Sequence, residues 1–275
     1  MTSVEHDAQP AGLARPFLSV GRFVSKTFVI AELEARRLLH DPSELITRAV
    51  QPALWLLVFG QVVGRTRVFD TGELSYVAFM SPGILAQSVL FISIFFGISV
   101  LWERDLGILH KFLVTPTPRT ALVLGKALSA GVRGVTQAIV VYALALAIGV
   151  KMNWNPLALL GVLATVILGA AFFSTFSLVI ACLVKTRERF MGIGQVMTMP
   201  LFFASNAIYP ISIMPRWLQI VSVVNPLSYE VDALRTLMIQ GGKTTFGLPL
   251  DFAVLIAWTV IAILIGGRLY ENVVR

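Results

Sequence analysis

Long runs of apolar residues alternate with short polar stretches along most of this chain of 275 residues. A helix needs about 20 predominantly apolar residues to cross a bilayer, and six runs approach or exceed that length. They cover residues 49–64, 77–101, 127–150, 157–184, 190–209 and 248–267. The first run is the weakest, because it is short and has Gln51 and Pro52 near its start. The alternating pattern of a barrel strand is absent. The sequence therefore predicts an all-α polytopic membrane protein with six transmembrane helices.

Residues 1–48 have a different pattern and form a separate N-terminal region ahead of the transmembrane domain at 49–275. The first twelve residues are polar, and we expect no removable signal peptide, because a short apolar core with a small-residue cleavage site is missing. Between residues 17 and 38, apolar side chains recur on one helical face and charged side chains lie largely outside it. This pattern predicts an amphipathic helix in the plane of the membrane interface. A soluble helix packed on its own domain is the alternative.

A charged amphipathic segment at 102–119 separates the second and third apolar runs. Trp102, Leu106, Leu109 and Leu113 recur at helical spacing, and the charged residues are mostly off that stripe. Pro116 and Pro118 then end the helix. A loop that only connects two membrane helices needs no apolar face. We therefore predict that this segment docks at the membrane surface or against another protein.

Basic residues predict the orientation of the chain, because loops rich in Lys and Arg stay on the cytoplasmic side. With six spans, one side carries 15 Lys and Arg residues and the other carries six. The richer side contains both termini and the 102–119 segment, which are therefore predicted to be cytoplasmic. This asymmetry accounts for the net charge of +7 without a nucleic-acid partner. The basic side would face the anionic headgroups of membrane lipid.

The composition, 56% hydrophobic and 13% charged, leaves few groups for chemistry. We expect no acidic side chain at membrane depth, where ion-coupled carriers usually place one. Arg133 is the basic residue inside a predicted span; it either extends back to the interface or faces a translocation path. His6, His40 and His110 are scattered, without neighbours at metal-ligand spacing. We predict no catalytic residue, metal or cofactor in this chain, so its energy would come from a cytoplasmic ATPase.

Two blocks of sequence resemble the permeases of type-2 ABC exporters, in the branch with daunorubicin-resistance and nodulation-factor export permeases. The family pattern Glu-Arg-Glu-x-Gly-Thr-Leu, followed by an apolar-Thr-Pro segment and Gly-Lys, is matched at 103–109, 113–116 and 125–126. Asp105 and Ile108 are mild departures that keep charge and bulk. The family pattern Pro-x-x-x-x-Pro-x-Trp, followed by Asn-Pro-Leu-Thr/Ser-Tyr-x-x-Asp-x-x-Arg, is matched at 210–217 and 225–235. Both blocks occur at the expected topological positions.

The resemblance implies a multi-pass permease of the bacterial cytoplasmic membrane that exports an amphiphilic substrate such as a drug, lipid or lipid-linked glycan. It further implies a dimer with an identical or related permease chain, and a nucleotide-binding subunit that uses ATP and Mg²⁺. A cytoplasmic coupling helix would include Glu103, Arg104, Asp105, Leu106, Gly107, Leu109, Leu113 and Pro116. Short extracellular re-entrant helices between spans five and six would include Pro210, Pro215, Trp217, Asn225, Pro226, Tyr229, Asp232 and Arg235.

Three other classes of protein fit the apolar pattern alone. An ion-coupled carrier or channel is disfavoured by the expected lack of acids at membrane depth. A membrane-embedded enzyme is disfavoured because no nucleophile, metal or carboxylate constellation is present in the sequence. A membrane scaffold that transports nothing is the hardest class to exclude, because transport requires no single catalytic residue.

Overall fold

A computed structural model describes residues 42–66, 68–106, 119–184 and 186–269. Within these ranges the fold is all-helical, with one isolated antiparallel bridge between Met152 and Ile239. The predicted amphipathic helix at 17–38 lies outside the described residues. In chain order the α-helices are α1 (Pro42–Ala53), α2 (Gly60–Thr66), α3 (Tyr76–Asp105), α4 (Arg119–Ala147), α5 (Pro156–Leu183), α6 (Arg187–Phe203), α7 (Arg216–Val224), α8 (Pro226–Met238) and α9 (Leu248–Leu269).

A π-helical turn at Leu54–Phe59 joins α1 to α2, so the chain is helical from residue 42 to residue 66. This helical stretch contains the first predicted span, 49–64. Pro52 lies inside α1. Because proline has no N–H, it cannot donate to the carbonyl of Arg48, four residues earlier. The side-chain amide of Gln137 on α4 donates to that carbonyl instead, at 3.3 Å. The missing backbone bond is therefore replaced by one that ties α1 to α4.

Four helical segments of the described chain are long and apolar enough to cross a membrane: Tyr76–Phe95, Val123–Ala147, Pro156–Leu183 and Leu248–Leu269. They coincide with the second, third, fourth and sixth predicted spans. At the centre, α5 contacts α3, α4, α8 and α9. Helix α5 begins where Asn155 caps it, accepting a hydrogen bond from the N–H of Leu157, and Pro156 occupies its first position. The core includes the fully buried Phe173 of α5 and Phe202 of α6.

The fifth predicted span, 190–209, is wrong at its end, because α6 stops at Phe203 and turns follow to Tyr209. Carbonyls at a helix end need partners from outside the helix. Asn225 supplies them, since its side-chain amide donates to the carbonyls of Leu201 at 2.7 Å and Ala204 at 3.2 Å. At 17 residues, α6 is shorter than a typical spanning helix of about 20 residues.

Candidate functional site

The predicted docking segment begins as a continuation of a long helix. Residues 102–105 form the last turn of α3, and the N–H of Leu106 still donates to the carbonyl of Trp102 at 2.9 Å. Helix α3 therefore continues for one turn beyond residue 101, where the predicted second span ends. Leu106 itself is exposed to solvent over 67% of its surface. The predicted site residues Gly107, Leu109, Leu113 and Pro116 lie outside the described part of the chain.

The last turn of α3 is bound to the first turn of α6 by Arg187. The guanidinium of Arg187 pairs with the carboxylate of Asp105, and its central carbon lies 3.6 Å from the centre of the Trp102 ring. Arg104 donates to the other oxygen of Asp105 at 3.1 Å. The hydrogen bond from Arg187 lowers the pKa of Asp105, and Arg104 adds to that effect. Asp105, which we predicted as part of the coupling helix, is thus paired with two arginines of its own chain.

The second sequence block forms two short helices with defined caps. Pro210 precedes a 3-10 turn at Ile211–Ile213, and Pro215 precedes α7. Asn225 ends α7 and also begins α8, where its side-chain oxygen accepts from the N–H of Leu227 at 3.0 Å. Pro226 occupies the first position of α8, where proline needs no N–H partner. Asn225 and Pro226 therefore mark the boundary between the two helices. Trp217, near the start of α7, is exposed.

Tyr229 and Asp232 attach α8 to its surroundings. The Tyr229 hydroxyl donates to the carbonyl of Val223 at 2.7 Å. Asp232 accepts from the hydroxyl of Thr244 and from the backbone N–H groups of Thr245 and Phe246, at 2.7 to 2.9 Å. These bonds fix the turn that leads into α9. These residues thus attach α8 to its neighbours, and the re-entrant placement of the segment stays a prediction.

Arg235 joins α8 to α3. Its guanidinium donates to the carbonyl of Asn206 at 2.6 Å and to that of Phe79 at 3.3 Å, and it stacks on the Phe79 ring at 3.9 Å. Burial lowers the pKa of Arg235 to about 10, while the charge of Asp232 opposes this shift. The guanidinium is therefore still protonated at neutral pH and acts as a charged donor inside the protein.

Asp251 contradicts our expectation that the predicted spans contain no acidic side chain, because it lies inside the sixth one. Asp251 lies in the first turn of α9 and Glu230 lies in α8, and both are fully buried. Glu230 packs against Gly169 of α5, and neither of its carboxyl oxygens has a hydrogen-bond partner among the described residues. Asp251 was visible in the sixth apolar run. Glu230 lies at a position of the second block where the family pattern specifies no residue. The argument from missing acids against an ion-coupled carrier therefore fails.

A pH dependence of stability follows from the burial of Glu230, which raises the pKa of its carboxyl well above the usual range. The folded protein then binds this proton more tightly than the unfolded chain, whose glutamate pKa is about 4.3. Stability should therefore fall as pH rises above that value. We expect Glu230→Gln to unfold at a higher temperature than wild type at neutral pH. Thermal unfolding in detergent at acidic and neutral pH measures this difference.

Glu73→Gln is the control for this prediction, because Glu73 is exposed in the turn before α3. It should leave the pH profile unchanged, whereas Glu230→Gln should match wild type only at acidic pH. A Glu230→Gln protein that is less stable than wild type at every pH would contradict the assignment of a neutral, buried acid.

Arg133, the other predicted site residue, lies half-buried on α4. Its carbonyl accepts a hydrogen bond from the hydroxyl of Thr136, which in turn accepts one from Arg48 of α1 at 3.3 Å. This part of α4 therefore faces α1. Whether Arg133 extends to the interface or faces a translocation path stays a prediction. In the described ranges, no cluster of three or more His, Cys, Asp or Glu residues could hold a metal ion.

Comparison with known proteins decides the family. The sequence model described as "ABC-2 type transporter" matches residues 25–239, which include both sequence blocks and α1 to α8. The chain belongs to this family. This ABC-2 protein is therefore a multi-pass membrane permease of an ABC transporter, a class of subunit that works with an ABC ATPase.

Named relatives of this permease cover most of its length. A putative transport permease, ycf38, of Cyanophora paradoxa is 30% identical over 222 residues, which are 78% of this chain and 74% of that protein. The daunorubicin resistance ABC transporter permease protein DrrB1 of Streptomyces coeruleorubidus is 26% identical over 242 residues, 86% of this chain and 85% of that one. The inner membrane transport permease YadH of Escherichia coli K12 is 26% identical over 79% of this chain and 86% of its own. All three names describe permease components.

Proposed function

We propose that this permease exports an amphiphilic compound, such as a drug, lipid or lipid-linked glycan, across a bacterial cytoplasmic membrane. ATP and Mg²⁺ would bind a separate nucleotide-binding subunit, and this chain would carry no enzymatic activity of its own. The name of the daunorubicin-resistance relative supports an amphiphilic drug as one substrate class. The apolar surfaces of the described helices support an amphiphilic substrate, since they offer apolar contact to it.

In this proposal the permease has six spans and both termini in the cytoplasm. The continuous helix at 42–66 would be the first span and α6 the fifth, in addition to the four long apolar segments. Basic residues support this orientation, because 15 of them fall on the side of the termini. Helices α7 and α8 would form the extracellular re-entrant segment. A second permease chain, identical or related, would complete the transport pathway.

The observation that carries the proposal is the contact between α3 and α6 at Asp105 and Arg187. The segment at 102–119 would be the coupling helix, with Leu106 as an apolar anchor in the ATPase. Its first turn is the last turn of α3, and Arg187 binds that turn to α6. A displacement of the segment by the ATPase would therefore move two helices together. A scaffold without transport activity would need no such connection.

A pull-down in mild detergent from the native membrane, followed by an ATP-hydrolysis assay, tests this proposal. The wild-type permease should retain an ATPase. Leu106→Asp should reduce the retained ATPase roughly tenfold, because a charge would replace the apolar anchor proposed for this contact. The amount of ATPase per permease chain is the measured quantity.

Val68→Asp provides a matched control. Val68 is 68% exposed, against 67% for Leu106, and it lies between α2 and α3 at the opposite end of α3. The same substitution there should leave ATPase binding unchanged. If no ATPase is retained by the wild type, or if both variants lose it equally, the coupling role of the segment is refuted.

A further inference from the structure

An open apolar groove of about 880 Å³ lies between α5, α6, α7 and α9. Its walls are mainly aromatic and aliphatic side chains contributed by all four helices. They include Phe172, Phe176, Phe203, Trp217, Val221 and Trp258. A cavity of this size falls in the range that holds small ligands, about 300–1,000 Å³.

Two polar side chains on the wall of the groove, Asn225 and Tyr209, are already used within the chain. The side-chain amide of Asn225 donates to Leu201 and Ala204, and its oxygen accepts from Leu227. The Tyr209 hydroxyl donates to the carbonyl of Phe203 at 2.5 Å. These two residues therefore have no spare donor for a sugar, a phosphate or a peptide. A ligand in the groove gains mainly apolar contact.

The position of the groove indicates the source of its ligand. Two of its walls, α5 and α9, are among the helices that can cross a membrane. On the α7 wall, Ile220 and Val224 are 67% and 60% exposed, which leaves apolar surface for a ligand to cover. In a bilayer, the molecules next to such a surface are lipid hydrocarbon chains.

The size of the groove favours a hydrocarbon chain over a second protein helix. A transmembrane helix is about 10 Å across and about 30 Å long, so its volume is more than twice that of the groove. A flexible acyl chain can follow the irregular aromatic wall and fill the space. We propose that this groove binds an acyl chain of a membrane phospholipid and holds α7 against α5 and α9. On α6 the groove is lined by residues near the helix end, whereas the contact proposed to transmit ATPase motion lies at the first turn of that helix.

A phospholipid with a photoreactive diazirine in the middle of one acyl chain tests this site. The full-length permease is reconstituted in phosphatidylglycerol vesicles with increasing amounts of the probe, irradiated, and mapped by peptide mass spectrometry. Labelling should saturate at low probe content and should fall on the α7 and α9 segments that face the groove. Val221→Phe should fill the groove and lower this labelling roughly fivefold.

Val223→Phe is the matched control, because Val223 is 47% exposed, against 45% for Val221, and lies outside the groove on the same helix. It should keep wild-type labelling. Val224→Phe blocks the groove from the next turn and decides the question if Val221→Phe fails to fold. Labelling that rises in proportion to the probe on all apolar faces, including Val260 of α9, would show ordinary boundary lipid and overturn the proposal. A groove protected from the probe, with chemical cross-links between two copies of the chain, would also overturn it.

Discussion

Gly169→Ala is expected to reduce the yield of folded permease several-fold and to lower its unfolding temperature. A Cβ atom at residue 169 would overlap the carboxyl carbon and both oxygens of Glu230. Glu230 is fully buried, so its side chain cannot swing into solvent to make room. Overpacking of a buried site typically costs about 1–3 kcal/mol, a large part of the stability of a folded protein. Size-exclusion chromatography and thermal unfolding in detergent measure the two effects.

A second-site variant separates the clash from a general effect of alanine. Gly169→Ala combined with Glu230→Ala removes the overlapping carboxyl and should recover most of the yield and unfolding temperature. Gly192→Ala on α6 is the control, because a Cβ there meets nothing within 4 Å. In an exposed helical position alanine is favoured over glycine, so this control should fold at least as well as wild type. Failure of the double variant to recover would rule out the contact between α5 and α8 as the cause.

The long helices could be predicted from the sequence because length and hydropathy alone determine them. The run at 157–184 matches α5 within one residue at each end, and its start is encoded locally by Asn155 and Pro156. The end of α6 could not be predicted in this way. The apolar run continues through Ala207 and Ile208, but Asn225 binds the carbonyls at Leu201 and Ala204. That contact joins residues more than 20 positions apart, so a local pattern does not reveal it.

The same limit applies to the candidate site. Asp232 and Arg235 were identified by motif, but their partners at Thr245 and Phe79 became apparent only in the folded chain. The pair of Asp105 and Arg187 spans 82 positions of sequence. Glu230 could not be singled out because, in a helix that also carries Asp232 and Arg235, an acid resembles a surface residue. Its burial depends on the absence of a side chain at Gly169 on another helix.

Arg187→Glu is expected to separate ATPase binding from its stimulation by the permease. The variant loses the contact with the Trp102 ring and places a carboxylate beside Asp105, so the last turn of α3 is repelled from α6. Leu106 and the rest of the coupling segment are unchanged, so the ATPase should still be retained in the pull-down. ATP hydrolysis per retained complex should fall roughly tenfold, because the charge contact that positions α3 relative to α6 is lost. Hydrolysis in reconstituted vesicles measures this ratio.

Three further variants decide whether the contact itself transmits the motion. Arg189→Glu makes the same charge change on the same turn of α6, at an exposed position, and should leave hydrolysis near wild type. Arg187→Glu with Asp105→Lys restores opposite charges and should recover part of the activity; the stacking on Trp102 would still be missing. Arg187→Lys keeps the charge but loses the planar group that stacks on Trp102. Its ATP hydrolysis should therefore lie between that of wild type and that of Arg187→Glu. If Arg187→Glu instead releases the ATPase, the residue contributes to docking. If ATP hydrolysis by the Arg187→Glu variant is unchanged, the contact between α3 and α6 has no part in coupling.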